Sequence, residues 1–235
     1  MASELSIVIP AYNEERTIIN VLESLIKNVP GILEIIVVDD GSKDTTCQVV
    51  DEYTSQNSIH EKVILIKHGN NQGKTAAVKT GIRASKGDIV IIQDADLEYN
   101  PEDIPDVIFP IQSGQADVVY GSRFLVRKAS RVLYFRHYLA NQLLTFLSNL
   151  LTDINLTDVE TGYKAFKGDL IRKLNLTSSG FGFEIEITAK ISKLKCRIYE
   201  VPISYYGRTY EEGKKITWRD GVSALYYIFK YNWFS

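Results

Sequence analysis

The sequence predicts an α/β fold: a mainly parallel central sheet flanked by helices. Two observations carry the prediction. Short apolar runs alternate with stretches of helical periodicity through the first half of the 235 residues, which is the pattern of βαβ units. Those apolar runs are also continuous, as strands covered on both faces must be. A third observation agrees with them. Acidic and turn-forming residues stand where the runs end, and sheets of this kind hold ligands beyond the carboxyl ends of their strands.

The elements follow in order. Residues 5–10 (LSIVIP) form the first strand, ended by Pro10. Residues 15–27 place Ile18, Leu22, Leu25 and Ile26 at helical spacing, and Asn13 is the expected N-cap. Residues 33–38 are the second strand, with the turn DDGS at 39–42 and Gly41 suited to positive φ. A helix at 45–53, a strand at 62–67, a helix at 73–85 and a strand at Ile89–Ile92 come next, then a fifth strand, ADVVY, at 116–120.

The second half changes character. Residues 131–151 carry Val132, Phe135, Leu139, Leu143, Phe146 and Leu150 on one stripe, which predicts an amphipathic helix. The polar segment 158–164 follows, then a helix near 184–193 and a strand at 197–202. A basic loop, 207–215, precedes an aromatic helix at 220–233. No repeat or low-complexity linker divides the chain, so one domain is expected over residues 1–235.

Composition narrows the function classes. Hydrophobic residues make up 45% of the chain, enough for a sizeable core. A net charge of −2 argues against a general nucleic-acid binder. Cys47 and Cys196 form no CxxC pair. That argues against structural zinc and for a reducing, cytoplasmic setting. No signal-peptide pattern opens the sequence, and no stretch nears the about 18 apolar residues of a spanning helix.

The most informative segment is IVIIQDADLEYN, residues 89–100. Asp94 and Asp96 leave a buried strand, and buried unpaired charge is costly. Two carboxylates there can hold a hard divalent ion, Mg²⁺ or Mn²⁺, against a diphosphate. A solvated acidic turn is the plainer alternative. The turn at Asp40 offers a carboxylate to a base N–H or a ribose hydroxyl. In PAYNE, residues 10–14, Tyr12 can stack on a base and Glu14 can bind a ribose hydroxyl. Arg123, in GSR beyond the fifth strand, and Arg208 and Lys214, in the basic loop, can clamp phosphate. GKT at 73–75 lacks the earlier glycine of a P-loop, because His68 stands there. Lys74 then lies at a helix start, near the site. Cys47 reads as core, and His60 and His68 read as surface loop residues.

The segments VIPAYNE, VVDDGSKDTT, NNQGKTAAVKTG, QDADLE and GSR occur in one order. Together they resemble the family 2 glycosyltransferases, which have the GT-A fold. DVETGYKAF, FGFEIEI, VPISY and GRTYEEGKKITWRDG resemble the branch of dolichol-phosphate mannose synthase and polyprenyl-phosphate glycosyltransferases. The resemblance implies a donor, GDP-mannose or UDP-glucose, and a polyprenyl phosphate acceptor. It implies that Pro10, Tyr12, Glu14, Val38, Asp40, Lys74 and Ala95 bind the nucleotide sugar. Asp94 and Asp96 become the metal-diphosphate residues, and Glu98 a third metal ligand, where mannose synthases often carry Gln. Arg123, Arg208 and Lys214 clamp phosphates, and Asp158 and Glu160 act as base or as positioning groups. Residues 1–125 would be the nucleotide-sugar half, and residues 126–235 the acceptor side.

A phosphate acceptor is largely ionised at neutral pH, its second pKa lying near about 6. It attacks without a strong base, which suits a site rich in cations and poor in histidine. The stripe on 131–151, flanked by Arg127, Lys128, Arg131 and Arg136, suits an anionic interface, and packing against the core is its alternative. The aromatics of the last helix suit headgroup depth, a membrane-anchoring subunit or a homo-oligomer contact, and a docked terminal helix is the plainer alternative. The expected location is the cytoplasmic face of a membrane, held peripherally. The rival readings are a family 2 enzyme with a hydroxyl acceptor and a non-catalytic nucleotide-sugar-binding subunit.

Overall fold

The computed structural model describes residues 3–56, 61–125, 131, 132, 134–178, 182–207, 211 and 218–233. Seven strands make one sheet: β1 (Leu5–Ala11), β2 (Ile32–Asp39), β3 (Val63–Lys67), β4 (Ile89–Ile92), β5 (Val118–Ser122), β6 (Lys164–Lys167) and β7 (Ile198–Pro202). Their order is β3-β2-β1-β4-β6-β5-β7. β3, β2, β1 and β4 are parallel neighbours. β6 lies antiparallel between β4 and β5, and β7 is parallel to β5. The chain leaves β1 in one direction for β2 and β3 and returns to its other side for β4. The β1–β4 boundary is therefore the switch point where such sheets open a ligand crevice.

Continuous apolar strands need cover on both sides, and the helices provide it. Ile7 and Ile9 point to one face, against α1 (Ile18–Asn28) and α4 (Ile104–Gln112). Val8, Val90 and Ile92 point to the other face, where α3 (Lys74–Ala84) and α7 (Phe183–Ser192) pack. Alternation along each strand thus feeds two cores. α2 (Thr46–Gln56) adds Val50 to the first core, and α8 (Trp218–Trp233) adds Ala224 and Ile228 to the second. α6 (Gly168–Lys173) follows β6 directly.

Three expectations are corrected. The first helix starts at Ile18, with Thr17 before it, and Asn13 does not cap it. Asn13 instead takes a left-handed φ of 54°. Its Oδ1 accepts from Lys43 N, while its N donates to Ser42 Oγ. Glu15 Oε2 likewise accepts from the N and Oγ1 of Thr45. Residues 13–15 are committed to the neighbouring loop, so the helix cannot begin there.

The second correction is β6 itself, a strand not expected, which begins at Lys164, the last residue of the segment taken as polar. The third concerns α5 (Phe135–Thr152), for which packing of the stripe against the core is the alternative reading. Its stripe does not pack inward: Phe135, Leu139, Leu143, Phe146 and Leu150 are 50–70% exposed. Leu144, Thr145 and Ser148 face the protein instead.

Candidate active site

Three loops meet at the carboxyl ends of β1, β2 and β4. Asp40 N donates to Ala11 O, joining the first two. Gly41 has φ of 70°, and a Cβ there would stand 2.6 Å from Asn70 C, so only glycine lets the turn press against the loop before α3. The buried Asp40 carboxylate organises that loop. It accepts from Gln72 N at 3.0 Å and Gly73 N at 2.7 Å, and it meets His68 Nδ1 at 2.7 Å. His68 Nε2 in turn meets Thr80 Oγ1 at 2.9 Å. His68 is therefore an internal link, contrary to its reading as a surface residue. His60 lies outside the described residues.

This loop starts α3, whose first residue, Lys74, reaches the acidic motif. Lys74 Nζ lies 2.9 Å from Asp94 Oδ1, 3.2 Å from Asp94 Oδ2 and 3.3 Å from Glu184 Oε1. Burial disfavours its charge, but the Asp94 and Glu184 carboxylates outweigh burial and hold its pKa well above the ordinary lysine value. Asp96 Oδ1 accepts from Glu98 N at 3.2 Å. Glu98 turns the other way and accepts from Tyr205 OH at 2.6 Å. Of the three expected metal ligands, Asp94 thus faces Lys74 and Glu98 faces Tyr205 in this structure. Among the described residues, no three His, Cys, Asp or Glu side chains gather to hold an ion. What remains is a small set of hard oxygens at a strand end. It suits Mg²⁺ or Mn²⁺ held jointly with substrate phosphate, because such ions take one or two carboxylates and complete their shell elsewhere.

The loop between α5 and β6 supplies the opposite wall. Arg123 Nε and Nη2 donate to Asp158 Oδ2 and Oδ1, both at 2.7 Å. The guanidinium also lies over the Tyr205 ring, 5.1 Å from its centroid. Burial works against its charge, and Asp158 more than compensates, holding its pKa well above the usual arginine value. Gly162 lets this loop approach, since a Cβ would stand 2.6 Å from Asp94 Oδ2. Its N donates to Tyr99 OH at 2.7 Å. Tyr99 stacks on Tyr163, with centroids 4.8 Å apart.

Glu160 sits in the same loop. Burial, then the nearby Glu184 carboxylate, push its pKa up to about 7. Lys164, fully buried at the start of β6, donates to the carbonyls of Val159 and Thr161. Burial pulls its pKa below the ordinary lysine value.

Of the expected site residues, Asp40, Lys74, Asp94, Arg123 and Asp158 converge through these contacts. Pro10, Tyr12 and Glu14 are half-buried at the end of β1. Val38 and Ala95 are in the core, so only their main chains can meet a ligand. Arg208 and Lys214, with Arg127 and Lys128, lie outside the described residues. Glu184, Lys164 and Tyr99 were not singled out from the sequence. A signal for Glu184 existed: FEIEI interleaves acids with isoleucine at 183–187, and acids in an apolar helix need a reason to be there.

The arrangement is that of the GT-A fold. Glucosyl-3-phosphoglycerate synthase of Mycobacterium tuberculosis, solved in complex with UDP, superimposes with a TM-score of 0.73 at 22% identity, over 98% of this chain and 80% of that one. Residues 6–174 match Glycosyl transferase family 2, and the chain belongs to that family. It is a glycosyltransferase. A Methanococcus voltae protein named UDP-N-acetylglucosamine--dolichyl-phosphate N-acetylglucosaminyltransferase is 34% identical over 84% of this chain and 83% of its own length. The undecaprenyl-phosphate mannosyltransferase of Micrococcus luteus is 29% identical over 88% of this chain and 85% of its own length. The dolichyl-phosphate beta-glucosyltransferase of Dictyostelium discoideum is 30% identical over 86% of this chain and 66% of its own length.

Proposed function

We propose that the protein transfers a hexose, mannose or glucose, from a nucleotide-diphosphate sugar to a polyprenyl phosphate, dolichyl or undecaprenyl, with inversion at the anomeric carbon. The observation that carries this is the bridge from Lys74 to Asp94, beside the Arg123–Asp158 pair. It brings cations and a strand-end acidic motif to the switch point of the sheet. The three relatives are named for transfer to a lipid phosphate, which supports the acceptor class.

Pro10, Tyr12 and Glu14, with the main chain at Val38, line the nucleotide end. Asp40 acts there by fixing the loop of Gln72 and Gly73. Asp96, with the donor diphosphate, would hold Mg²⁺ or Mn²⁺. When bound, the metal neutralises charge on the leaving diphosphate. Asp94 orients Lys74 towards the same phosphates, and the main chain at Ala95 completes that turn. Arg208 and Lys214 join the phosphate clamp.

Asp158 is a positioning group, because both its oxygens are taken by Arg123. An ionised phosphate acceptor needs no strong base, so positioning and electrostatics suffice. Residues 1–125 carry the donor and residues 126–235 face the acceptor, within one domain.

No helix among the described residues is long and apolar enough to cross a membrane. α5 packs on α8. α8 exposes apolar side chains as well, at Val222, Tyr226, Phe229 and Trp233. This face would lie on the cytoplasmic surface of the membrane that holds the acceptor.

The test is a donor screen with UDP-glucose, GDP-mannose and UDP-N-acetylglucosamine, with Mg²⁺ or Mn²⁺ and a short polyprenyl phosphate. Label should enter the lipid phosphate as a β-linked sugar, and EDTA should stop it. Label in a glycan acceptor but not in lipid would overturn the reading.

A further inference from the structure

Among the described residues, three acidic side chains, Asp39, Glu160 and Glu184, have a buried oxygen without a hydrogen-bond partner, and the last two share one loop–helix contact. Glu186 is fully buried, and its oxygens accept from Thr177 N and Ser178 N at 2.7 Å each, with Lys190 Nζ at 2.6 Å. Glu184, one half-turn earlier on α7, is different. Its side chain is 7% exposed, and Oε1 faces Lys74 at 3.3 Å. Its Oε2 is buried with no hydrogen-bond partner among the described residues. Glu160 Oε1 is in the same condition, and each carboxylate lies in the field of the other.

Leaving such an oxygen unpaired costs about 1–3 kcal/mol or more, so these groups are expected to have donors in the working protein. The missing donors are not on phosphate. An ionised phosphate offers acceptors only, and two carboxylates repel it. The nearby cations are already engaged: Lys74 by Asp94, Arg123 by Asp158, Lys164 by main-chain carbonyls. Neutral hydroxyl groups are the complementary chemistry. Position agrees, because a single ammonium separates Glu184 from Asp94, the residue at the strand end where the diphosphate is placed.

We propose that Glu184 and Glu160 form the subsite that binds the hydroxyl groups of the transferred hexose and selects among sugars. This rests on the nucleotide-sugar reading above. The two carboxylates select by accepting from hydroxyls at particular ring positions. Epimers move those donors out of reach and leave the acceptors unpaired.

The test is calorimetric binding of UDP, UDP-glucose, UDP-N-acetylglucosamine, GDP and GDP-mannose to the wild type, Glu184→Gln and Glu160→Gln. A hydrogen bond to a charged group corresponds to about tenfold or more in affinity. Each variant should therefore bind the preferred nucleotide sugar about tenfold or more weakly, and the matching nucleoside diphosphate within about twofold of wild type. Deoxy analogues of the preferred sugar add a second reading that does not depend on Lys74 keeping its place. A hydroxyl whose removal weakens the wild type should have little effect in the variant that lost its partner.

Equal weakening of nucleotide and nucleotide sugar would overturn the subsite, and so would unchanged affinity for both in the two variants. A wild type that binds no nucleotide or nucleotide sugar removes the donor reading first, and the subsite with it. A wild type that binds them while the variants behave alike removes the subsite alone.

Discussion

Asp158 holds Arg123 through two hydrogen bonds of 2.7 Å and also accepts the Arg123 main-chain N at 3.1 Å. The side chains are 0% and 12% exposed, so this is a buried pair whose second-best arrangement is poor. Removing one partner strands the other charge. Asp158→Asn should lower unfolding free energy by about 3–5 kcal/mol, read from urea denaturation. Replacing both partners with apolar residues, Arg123→Met with Asp158→Leu, should restore most of that loss. The double variant should remain inactive, because the clamp is gone. A single variant as stable as wild type would show that the pair carries no structural weight.

Gly41 and Gly114 allow a cleaner comparison. Their φ angles are nearly the same, 70° and 74°. A Cβ on Gly114 meets nothing within 4 Å, while one on Gly41 stands 2.6–2.8 Å from the main chain of Asn70 and Asn71. Gly114→Ala therefore measures left-handed strain alone, about 1–2 kcal/mol. Gly41→Ala adds a backbone clash and should cost at least about 2 kcal/mol more. Thermal unfolding of the two variants checks this, and equal losses would contradict it. The clash also displaces the loop that Asp40 organises, so Gly41→Ala should weaken UDP or GDP binding and Gly114→Ala should not.

Glu160 gives a pH dependence with a definite sign. Burial raises its folded-state pKa from 4.5 to about 7. Between those values the folded protein binds the extra proton, so stability falls as pH rises through the window and levels off above it. The full swing is on the order of 3 kcal/mol. Lys164 acts in the opposite sense, at higher pH. A lysine pKa lowered by burial changes stability only on the alkaline side, and there stability rises with pH. Glu160→Gln mimics the protonated side chain. It should match wild type near pH 4.5 and exceed it at pH 8, in urea midpoints measured across the range. Parallel pH curves for the two proteins would show that Glu160 ionises normally.

Much of this was legible in the sequence, for identifiable reasons. β1, β2 and β4 are doubly buried, and continuous runs such as IVII state that directly. Asp94, Asp96 and Arg123 could be placed because each follows a recognisable strand. β6 could not, because KAFK is four residues long with a lysine at each end. Its Lys164 is buried only because the carbonyls of Val159 and Thr161 and the ring of Tyr120 surround its ammonium. No local pattern announces that. The start of α1 was hidden by contacts across 29 or 30 residues, from Asn13 and Glu15 to the turn of β2. Lys74 and Asp94, 20 positions apart, meet only because α3 packs across β1, the strand that pairs with β4. Glu98 has a partner of the same hidden kind. The resemblance implies it as a metal ligand, and the contact with Tyr205, 107 positions away, could not be read from the sequence.

The exposed face of α5 is where sequence periodicity and structure diverge most usefully. Apolar residues at helical spacing usually mark the buried side of a helix. Here Leu143 and Phe146 are 53% and 61% exposed, and Leu139 and Leu150 extend the same stripe. A surface patch of this kind is costly in water and favourable at a lipid interface. Purified protein should therefore cosediment with vesicles containing anionic lipid. Leu143→Glu with Phe146→Glu should reduce binding by at least about tenfold, since each buried side chain of this size contributes about 1.5–3 kcal/mol. Because both positions point away from the core, the variant should keep its unfolding temperature and its affinity for UDP or GDP. Activity should fall for polyprenyl phosphate presented in vesicles but survive for a short acceptor in free solution. Loss of both activities together would mean that the stripe serves the fold or the site rather than the interface.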